Sequence, residues 1–487
     1  MQEKNAGRLD PLLITVGVLL LYAAFPSYLH LFDGVACAIA VELGDFKHLV
    51  HGNHLLYGIV GYAFHRLLFL AGLKLPALWT LQVLDSLLGA AAAGLMASTL
   101  LRARFSRFTA AFCSLGMAVS YAYWKWSLEA NVYLLGVVFL MLALREAVDD
   151  RPNPYALAFW HALAMLAHAA NALFVPVALL ALWRRRDSGG DPRSDTAKYL
   201  LTAAAWVCAV YVAAAVMWVQ PETASDVKLW LMGSGALGPG RTWRWQGSET
   251  FLERVYHWVL SSGKAVSVLP WLGAPLWAAA YIAFFVSRGK GWLFTLAGWV
   301  WLYAYSALFM NWQPYNIIYR ITDLPALWIM AAPVAEWLAA TPRSSSPRTA
   351  EAVRSQWRSL LGAYLCALFA VNLSFVILPD SRPENNAPLQ EALWLKAATP
   401  ENAWIAVENN GQVYVPYFSH RSPLNLHLYR GREAALVSRI REIQRDEGPV
   451  FVTGELLDQG WRQVFTSIGM SEAARLPKRV LYRVAEL

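Results

Sequence analysis

The sequence has few charged residues. Asp, Glu, Lys and Arg make up 15% of its 487 residues, whereas hydrophobic residues make up 57% and the mean hydropathy is +0.36. A soluble chain usually carries about 25% charged residues. This deficit excludes an ordinary soluble globular protein, and the long uncharged runs indicate a multi-pass membrane protein.

Paired cysteines, phosphate-binding loops and nucleic-acid-binding runs are also missing. The cysteines Cys37, Cys113, Cys208 and Cys366 are scattered singly, which argues against a disulfide framework and against a thiolate metal site. No glycine-rich fingerprint precedes a helix, and the segment GELLDQG does not have the form of a phosphate-binding loop. The net charge of +8 comes without a basic run interleaved with aromatic residues outside the span flanks, so no nucleic-acid partner is indicated.

Apolar runs of roughly 17 to 25 residues predict about eleven membrane spans. They cover residues 11–31, 77–101, 106–123, 131–147, 154–168, 171–183, 197–219, 265–286, 291–310, 317–340 and 359–378. The first run has no clear small-residue cleavage site, so we interpret it as a retained signal anchor. Neither an internal repeat nor a pair of broken helices of the transporter kind is visible.

Basic residues in five loops set the predicted orientation. The clusters are Arg102, Arg104 and Arg107; Arg145 and Arg151; Arg184, Arg185, Arg186 and Arg193; Arg288 and Lys290; and Arg343, Arg348, Arg354 and Arg358. With eleven spans every cluster falls on one face, which the positive-inside rule makes cytoplasmic. We therefore expect a protein of the cytoplasmic (inner) membrane with a cytoplasmic N-terminus and an extracytoplasmic C-terminus.

The composition changes near residue 380, where charges become frequent. The expected architecture is mainly α: a transmembrane helix bundle over 1–378, with interfacial helices in its first outer loop. A small extracytoplasmic α/β domain follows over 379–487. Its predicted strands are 403–408, 411–418, 449–455 and a last run at 478–487, with an amphipathic helix over 432–448.

The first outer loop, 32–66, carries acids and imidazoles beside a lipid boundary. Such groups are costly to place there and suggest a site, although an ordinary wetted loop is the alternative. Asp33 follows the first span, where its carboxylate is either a proton acceptor for a hydroxyl group or the N-cap of the next helix. Glu42 and Asp45 share a face if 35–45 is helical, and either hold a divalent ion with the histidines or face water.

Three histidines, His48, His51 and His54, recur at steps of three in this loop. They are candidates for donating hydrogen bonds to a phosphate, and ordinary interfacial histidines are the alternative. No stable tetrahedral zinc set can be assembled from them. The sequence therefore supports no metal site and no cofactor, although the acids leave room for a divalent cation.

Two further short connections between predicted spans face outward and carry polar side chains. We call these connections tips. In WKWSLEANVYLL, Lys125 and Glu129 stand at i, i+4, which is typical of an exposed ion pair. In LAHAANALFVP, His168 and Asn171 lie between short apolar helices. They either hydrogen-bond between helices or face a cavity.

The last candidates come from a loop and a span end. Arg320 and Asp323 stand at i, i+3 inside a predicted span, near Tyr315. They either pair with each other or line a cavity in which the arginine holds a lipid phosphate. The loop GPGRTWRWQG offers Arg241 and Arg244 with two tryptophans, which suits sugar stacking and phosphate contact or is a plain interfacial loop.

The pattern resembles the GT-C glycosyltransferases, and within them the protein O-mannosyltransferase-like branch. Three motifs carry the resemblance: Phe32-Asp33-Gly34 followed by a histidine-rich turn, the Glu129…Tyr133 tip, and the short hairpin turning at His168. The branch often has His-Pro-Pro in that turn, where this chain has His51-Gly52-Asn53-His54.

The resemblance implies an enzyme that moves a sugar from a polyprenyl-phosphate carrier to an acceptor hydroxyl at the outer face. The acceptor would be a lipid, a glycan or a protein. Asp33 would be the general base, with Glu42 or Glu129 as a secondary acid. The implied substrate contacts are His51, His54, Lys125, His168, Asn171, Arg241, Arg244, Tyr315 and Arg320.

Two other functions fit the same features. A transporter or flippase of lipid-linked glycans also needs an outward basic cavity, but it needs access from both faces and gains nothing from an outer α/β domain. A non-catalytic membrane subunit of an envelope-assembly complex would use the C-terminal domain for docking.

Overall fold

The computed structural model describes residues 2–184, 191–232, 250–287, 290–339, 347–477 and 479–486. The chain divides into two compact units. The membrane unit comprises Met1–Ser27 and Ala40–Ser381, and the C-terminal unit comprises Tyr28–Ile39 and Arg382–Leu487. The segment 28–39, expected from the sequence to belong with the membrane bundle, is thus part of the C-terminal unit.

The membrane unit is built from helices. Its α-helices are Gln2–Ala23, Phe46–Leu49, Leu55–Leu70, Ala77–Arg102, Arg107–Val119, Tyr121–Ser127, Leu134–Ala147, Pro154–Ala167, Val175–Arg184, Pro192–Ala214, Ala224–Met232, Phe251–Val266, Ala274–Val286, Lys290–Trp312, Leu324–Ala339, Pro347–Asn372 and Leu378–Asp380. Short 3-10 turns (Ala169–Phe174, Pro270–Gly273, Ile317–Ile321) and π turns (Ala215–Val219, Leu373–Ile377) connect or extend them.

Four described helices are long and apolar enough to cross a membrane: Ala77–Arg102, Pro192–Val219, Gly291–Trp312 and Ala352–Asp380. The pair Phe251–Val266 and Pro270–Val286, bent by 79°, makes a fifth if it counts as one broken span. Other apolar helices of this unit are shorter. The protein is a multi-pass membrane protein, and the count of about eleven crossings stays a prediction.

The first predicted span is longer than its helix. The run was expected to continue to Leu31, but the helix ends at Ala23. Pro26 lies three residues beyond, and a proline disfavours helical backbone at the residue before it. The residues between the helix and Phe32 therefore form a non-helical connection.

The core of the membrane unit surrounds helix Leu324–Ala339, most of whose residues are buried. Trp328 is fully buried, and its indole Nε1 donates to the Ser120 hydroxyl over 3.0 Å. A Cβ added at Gly116 would stand 2.2 Å from the Trp328 ring. Only glycine lets helix Arg107–Val119 approach this indole so closely.

The C-terminal unit contains a mixed five-stranded sheet. Its strands are β1 (Trp404–Val407), β2 (Ser422–Asn425), β3 (Val450–Thr453), β4 (Met470–Leu476) and β5 (Arg479–Val484), in the spatial order β2-β1-β3-β5-β4. β1 runs parallel to β2 and β3, and β5 is antiparallel to β3 and β4. Trp404 pairs with Ser422 on one side and with Val450 on the other.

The helices of this unit cover the sheet. They are Ala387–Ala398, Gly411–Tyr414, Glu433–Asp446, Gly454–Leu456 and Arg462–Ile468, with 3-10 turns at Pro383–Asn385 and Leu426–Tyr429 and π turns at Val415–Ser419 and Leu457–Trp461. The remaining helix, Phe32–Leu43, begins in this unit and ends in the membrane unit. The predicted amphipathic helix is confirmed as Glu433–Asp446, which buries Leu436, Ile440 and Ile443.

The predicted strand 411–418 is wrong. Residues Gly411–Tyr414 are α-helical and continue into the π turn Val415–Ser419. Three successive side chains, Val413, Tyr414 and Val415, are buried. A half-exposed strand would bury only alternate ones. The sequence alternation was therefore overridden by packing within this unit.

Candidate functional site

The turn after the first outer helix brings two of the predicted histidines together. His51 and His54 form a β-bridge, and their rings stack with centroids 4.2 Å apart. The Asn53 amide donates to His51 Nδ1 over 3.2 Å. A Cβ on Gly52 would stand 2.1 Å from the Trp230 carbonyl oxygen, which accounts for glycine at this position.

A third predicted histidine joins them from the hairpin at 167–171. The Ala169 amide donates to the Asn53 carbonyl over 2.7 Å, so the hairpin is held against the turn. His168 Nδ1 accepts from the Ala170 amide over 3.2 Å, which leaves Nε2 to carry the proton in the neutral ring. We call His51, His54 and His168 the imidazole cluster.

Desolvation sets the protonation of the two loop histidines. It lowers the pKa of His51, and it lowers the pKa of His54 well below the ordinary value of 6.5, with smaller contributions from His51 and His168. Both rings are therefore neutral near pH 7. Each is half-buried, and His54 Nδ1 has no hydrogen-bond partner within the described residues. Each neutral ring carries one N–H donor, while the acceptor of His51, Nδ1, already receives the Asn53 amide.

Arg320 lies in the 3-10 turn Ile317–Ile321 and is only 2% exposed. Its Nη1 lies 3.2 Å from Asp323 Oδ2, its Nη2 donates to the Ser262 hydroxyl over 2.8 Å, and its guanidinium stacks 5.7 Å from the Trp258 ring centroid. Arg320 and Asp323 thus pair with each other. An arginine neutralised in this way offers little net charge to a lipid phosphate.

A second polar cluster lies in the membrane unit and was not predicted from the sequence. Asp85, on helix Ala77–Arg102, is fully buried. Its Oδ2 accepts from the Tyr57 hydroxyl over 2.6 Å and from the Asn131 amide over 2.9 Å. A lone carboxylate inside an otherwise uncharged apolar run was the available signal, because ionisable groups within spans are rare and functional.

Glu129 belongs to the same set. It is fully buried and accepts from the Ser27 hydroxyl, while Gln82 Nε2 donates to the Ser27 carbonyl over 3.0 Å. We call Ser27, Tyr57, Gln82, Asp85, Glu129 and Asn131 the carboxyl cluster. Glu129, predicted as a secondary catalytic acid, is enclosed and hydrogen-bonded at the base of its tip.

The tip Glu129…Tyr133 connects the two clusters. The Tyr133 amide donates to Asn131 Oδ1 over 3.0 Å, so the residue that caps the carboxyl cluster also positions the tyrosine. The Tyr133 ring lies 4.7 Å from His168 and 5.8 Å from Tyr319, measured between centroids. The carboxyl cluster therefore supports a tip that packs against the imidazole cluster.

Lys125 does not pair with Glu129, as i, i+4 spacing led us to expect. Its Nζ lies 2.8 Å from Asp380 Oδ2, and the side chains are 12% and 19% exposed. The ammonium also lies over the Trp126 ring, 5.2 Å from its centroid. Helix Tyr121–Ser127 ends before Glu129, so the i, i+4 helical face does not form.

Glu42 and Asp45 do not share a helix face. The helix ends at Leu43, and Gly44 follows with φ +65°. Glu42 Oε1 accepts from the Ala77 amide over 3.0 Å, at the start of helix Ala77–Arg102. Asp45 accepts from the Lys47 amide and bonds His48 Nδ1 over 2.6 Å. These contacts give both acids local structural roles.

Asn171 is fully buried and bridges helices. Its Nδ2 donates to the Ala164 carbonyl over 2.8 Å, and its Oδ1 accepts from the Tyr305 hydroxyl over 2.7 Å. Of the two roles left open by the sequence, the contacts match the interhelical one. Substrate contact by this amide would require breaking those bonds.

The remaining predicted contacts are dispersed. Tyr315 is 57% exposed, and its ring lies 6.3 Å from that of His257. Arg241 and Arg244 lie outside the described residues. Among the described residues, no group of three His, Cys, Asp or Glu side chains is arranged to hold a metal ion.

Asp33 belongs to the C-terminal unit. It is the second residue of helix Phe32–Leu43, so it is in the first turn and is not the N-cap. The segment before it is fixed by Asn386 Nδ2, which donates to the Leu29 carbonyl over 2.7 Å, and by His30, whose ring stacks 5.3 Å from Phe418. The Asp33 side chain is exposed at the surface, yet partial desolvation raises the pKa of its carboxyl.

No protein-family profile and no curated protein sequence matches the chain. Solved structures do. ArnT from Cupriavidus metallidurans bound to undecaprenyl phosphate is 13% identical, aligns over 97% of this chain and 98% of its own, and has a TM-score of 0.64. The Archaeoglobus fulgidus oligosaccharyltransferase tethered to an acceptor peptide is 10% identical, aligns over 91% of this chain and 69% of its own, and has a TM-score of 0.51. The mycobacterial arabinofuranosyltransferase AftD is 14% identical, aligns over 99% of this chain and 42% of its own, and has a TM-score of 0.52.

These structures are GT-C glycosyltransferases. The chain has the GT-C fold. The resemblance inferred from the three motifs is thereby confirmed for the fold, and the protein O-mannosyltransferase-like branch stays a prediction. At identities this low the likeness concerns architecture alone.

Within this GT-C fold, the described residues supply two kinds of polar group. The carboxyl cluster is enclosed and internally hydrogen-bonded, so it positions backbone and side chains. Asp33 is exposed, and the rings of His51 and His54 are half-buried. An apolar groove of about 270 Å³ adds a third feature, between helices Ala274–Val286, Leu324–Ala339 and Pro347–Asn372.

Proposed function

We propose that this protein is a membrane glycosyltransferase of the GT-C type. It transfers a sugar from a polyprenyl-phosphate-linked donor to an acceptor hydroxyl at the outer face of the cytoplasmic membrane. The observation that carries the proposal is the fold match to ArnT bound to undecaprenyl phosphate, which extends over nearly the whole of both chains.

The reaction needs a proton acceptor and a leaving group that is stable as an anion. As the acceptor oxygen bonds to the anomeric carbon, the bond from that carbon to the phosphate oxygen breaks. The acceptor proton passes to a carboxylate, and the polyprenyl phosphate leaves as an anion that needs no strong general acid. A general base contributes typically 10²–10⁴-fold to such a step.

Asp33 is our choice for that base. Its carboxylate is exposed, it receives no hydrogen bond from any residue that the structure describes, and its pKa is raised. A carboxylate with a raised pKa is a better proton acceptor. Glu129 and Glu42, the other predicted acids, are each hydrogen-bonded to a neighbouring group of the membrane unit.

The imidazole cluster is our choice for holding the donor phosphate. Neutral rings of His51 and His54 can donate N–H groups to phosphate oxygens without placing fixed charge in a desolvated turn. Arg320 is less suited, since Asp323 already pairs with it. The apolar groove is a candidate for the isoprenoid tail.

The proposed orientation rests on the arginine clusters. With about eleven crossings the clusters all face the cytoplasm. The first outer loop, its interfacial helices and the C-terminal unit then face outward, where lipid-linked donors present their sugars. The donor and the membrane lipids are the partners proposed here, with a lipid, glycan or protein as acceptor.

Replacing Asp33 tests the proposal. The purified full chain in detergent is given undecaprenyl-phosphate donors carrying one labelled sugar each, together with membrane extracts as acceptors. The Asp33→Asn variant should lose transfer by roughly 10²–10⁴-fold because it cannot take up the acceptor proton. Asp45→Asn is the matched control, since this acid lies in the same loop and its N-cap bond survives the change.

Two results would contradict the proposal in different ways. Full transfer by Asp33→Asn would remove Asp33 as base and leave the enzyme intact. Absence of transfer by the wild-type chain with every donor, combined with movement of labelled lipid across vesicles, would indicate a flippase.

A further inference from the structure

The C-terminal unit contains a cavity that plays no part in the proposed transfer. Its volume is about 220 Å³. The lining residues come from helix Ala387–Ala398, from β1 and from the segments that follow β1 and β3. All of them belong to the C-terminal unit.

The cavity lies where the chain topology leaves a crevice. From β1 the chain continues to β2 on one side, and from β2 it returns through helix Glu433–Asp446 to β3 on the other side of β1. The segments that leave the carboxyl ends of β1 and β3 therefore run in opposite directions across the sheet. In open α/β sheets, ligands bind outside the carboxyl ends of strands at such a switch point.

The cavity has an apolar floor and a polar rim. Its floor includes the buried side chains of Leu395, Ile405 and Leu456, whereas Asn410 and Gln459 on the rim are exposed. A small number of polar groups around an apolar surface is the usual arrangement of a small-molecule site. Drug-sized ligands fill about 300–1,000 Å³, so this cavity suits a smaller one.

The polar groups select the kind of ligand. The described lining contains Glu391, Glu408 and Glu455, amide side chains and one threonine, but no lysine, arginine or histidine. Carboxylates repel phosphate and accept hydrogen bonds from hydroxyls, and amides both donate and accept. Dinucleotides and sugar phosphates are therefore disfavoured, and a polyhydroxylated neutral ligand is favoured.

One acid of the lining is already occupied, and others remain available. Glu408 accepts from Arg430 and from the Trp461 indole. Glu391 is half-buried, and desolvation raises the pKa of its carboxyl. Glu455 is exposed and accepts a single long bond of 3.4 Å from Gln459 Nε2. Glu391 and Glu455 can thus accept hydrogen bonds from ligand hydroxyls without breaking an internal ion pair.

We propose that this cavity is a binding site for a neutral sugar residue, recognised through Glu391, Glu455, Asn410 and Gln459 over the apolar floor. Such a site would hold a glycan against the C-terminal unit. Binding there requires no transfer reaction, so it can be measured whether or not the protein is a glycosyltransferase.

Two exposed glutamines make a matched test. Gln459 lines the cavity, whereas Gln463, four residues later on helix Arg462–Ile468, is exposed and does not line it. The full chain in detergent is titrated with mannose, glucose, galactose and N-acetylglucosamine, and contact is followed by saturation-transfer NMR. Gln459→Trp should weaken sugar binding by roughly tenfold or more, and Gln463→Trp should leave it unchanged.

The outcomes are decisive in both directions. If Gln459→Trp does not fold, Gln459→Ala and Asn410→Ala replace it, and each should weaken binding of the same sugars. Binding of no neutral sugar by the wild-type chain would overturn the proposal. Equal losses from Gln459→Trp and Gln463→Trp, or tighter binding of glucose 6-phosphate than of glucose, would overturn it as well.

Discussion

Asp33 and Asp85 are the same residue type in opposite environments. Asp33 is exposed in the first turn of its helix, and desolvation alone accounts for its raised pKa. Asp85 is fully buried, and its Oδ2 accepts two hydrogen bonds. An exposed carboxylate can exchange a proton with an incoming hydroxyl, whereas an enclosed one fixes the groups that bond to it.

The histidines show the same division. His48 has a side chain that is 73% exposed and pairs with Asp45, which is a local contact. His54 is half-buried beside His51 and keeps Nδ1 without a partner within the described chain. Half-buried rings in a desolvated turn are the candidate ligand contacts, whereas the exposed ring of His48 makes only a local pair.

Asp85→Ala gives the largest expected change in stability. It removes the buried acceptor of two hydrogen bonds, from the Tyr57 hydroxyl and the Asn131 amide, and each lost bond costs about 1–3 kcal/mol. We expect the free energy of unfolding, measured by denaturant titration in detergent, to fall by roughly 2–5 kcal/mol. Asp85→Asn keeps an acceptor oxygen and should recover part of the loss.

Asp33→Ala is the control for that comparison. An exposed residue that makes no hydrogen bond usually changes stability by no more than about 0.5 kcal/mol. Equal destabilisation by Asp33→Ala and Asp85→Ala would show that the two aspartates do not differ as their environments indicate.

His54→Ala should reduce transfer more than it reduces stability. A hydrogen bond to a charged phosphate contributes about 1.5–3 kcal/mol, so we expect roughly a 10- to 100-fold loss of kcat/KM for the lipid-linked donor. His48→Ala, from the same loop, should keep near wild-type transfer. Similar losses in both variants would argue against a phosphate contact at the imidazole cluster.

Local sequence patterns predicted much of this molecule. Apolar runs located helices in each predicted span. The amphipathic pattern located helix Glu433–Asp446. These features depend on neighbouring residues and on hydropathy, which can be read along the chain.

The partner of a charged side chain could not be predicted from the sequence in that way. Lys125 pairs with Asp380, 255 residues away, although Glu129 stands at the favourable i, i+4 spacing. Asp85 was missed because its partners, Tyr57 and Asn131, come from two other segments. Packing between distant segments determines these contacts, and residue spacing along one helix carries no information on that packing.

A double-mutant cycle can sharpen the distinction between spacing and packing. Lys125 and Asp380 are mostly buried and 2.8 Å apart, so we expect Lys125→Gln and Asp380→Asn to couple by about 1 kcal/mol in unfolding free energy. The cycle of Lys125→Gln with Glu129→Gln should give a clearly smaller coupling. A larger coupling to Glu129 would restore the ion pair predicted from spacing.

The smallest effect expected is on the pH dependence of stability. The pKa of His54 is well below its ordinary value of 6.5 in the folded protein, so the unfolded chain takes up a proton that the folded chain does not. Its contribution to stability is complete above pH 6.5 and is lost as the pH falls towards the folded pKa, by at most about 1.4 kcal/mol per pH unit. His54→Asn removes this group, and its free energy of unfolding should fall less than that of the wild type between pH 7 and pH 5.5. An equal fall for His54→Asn and the wild type would show that desolvation of this ring is not the cause.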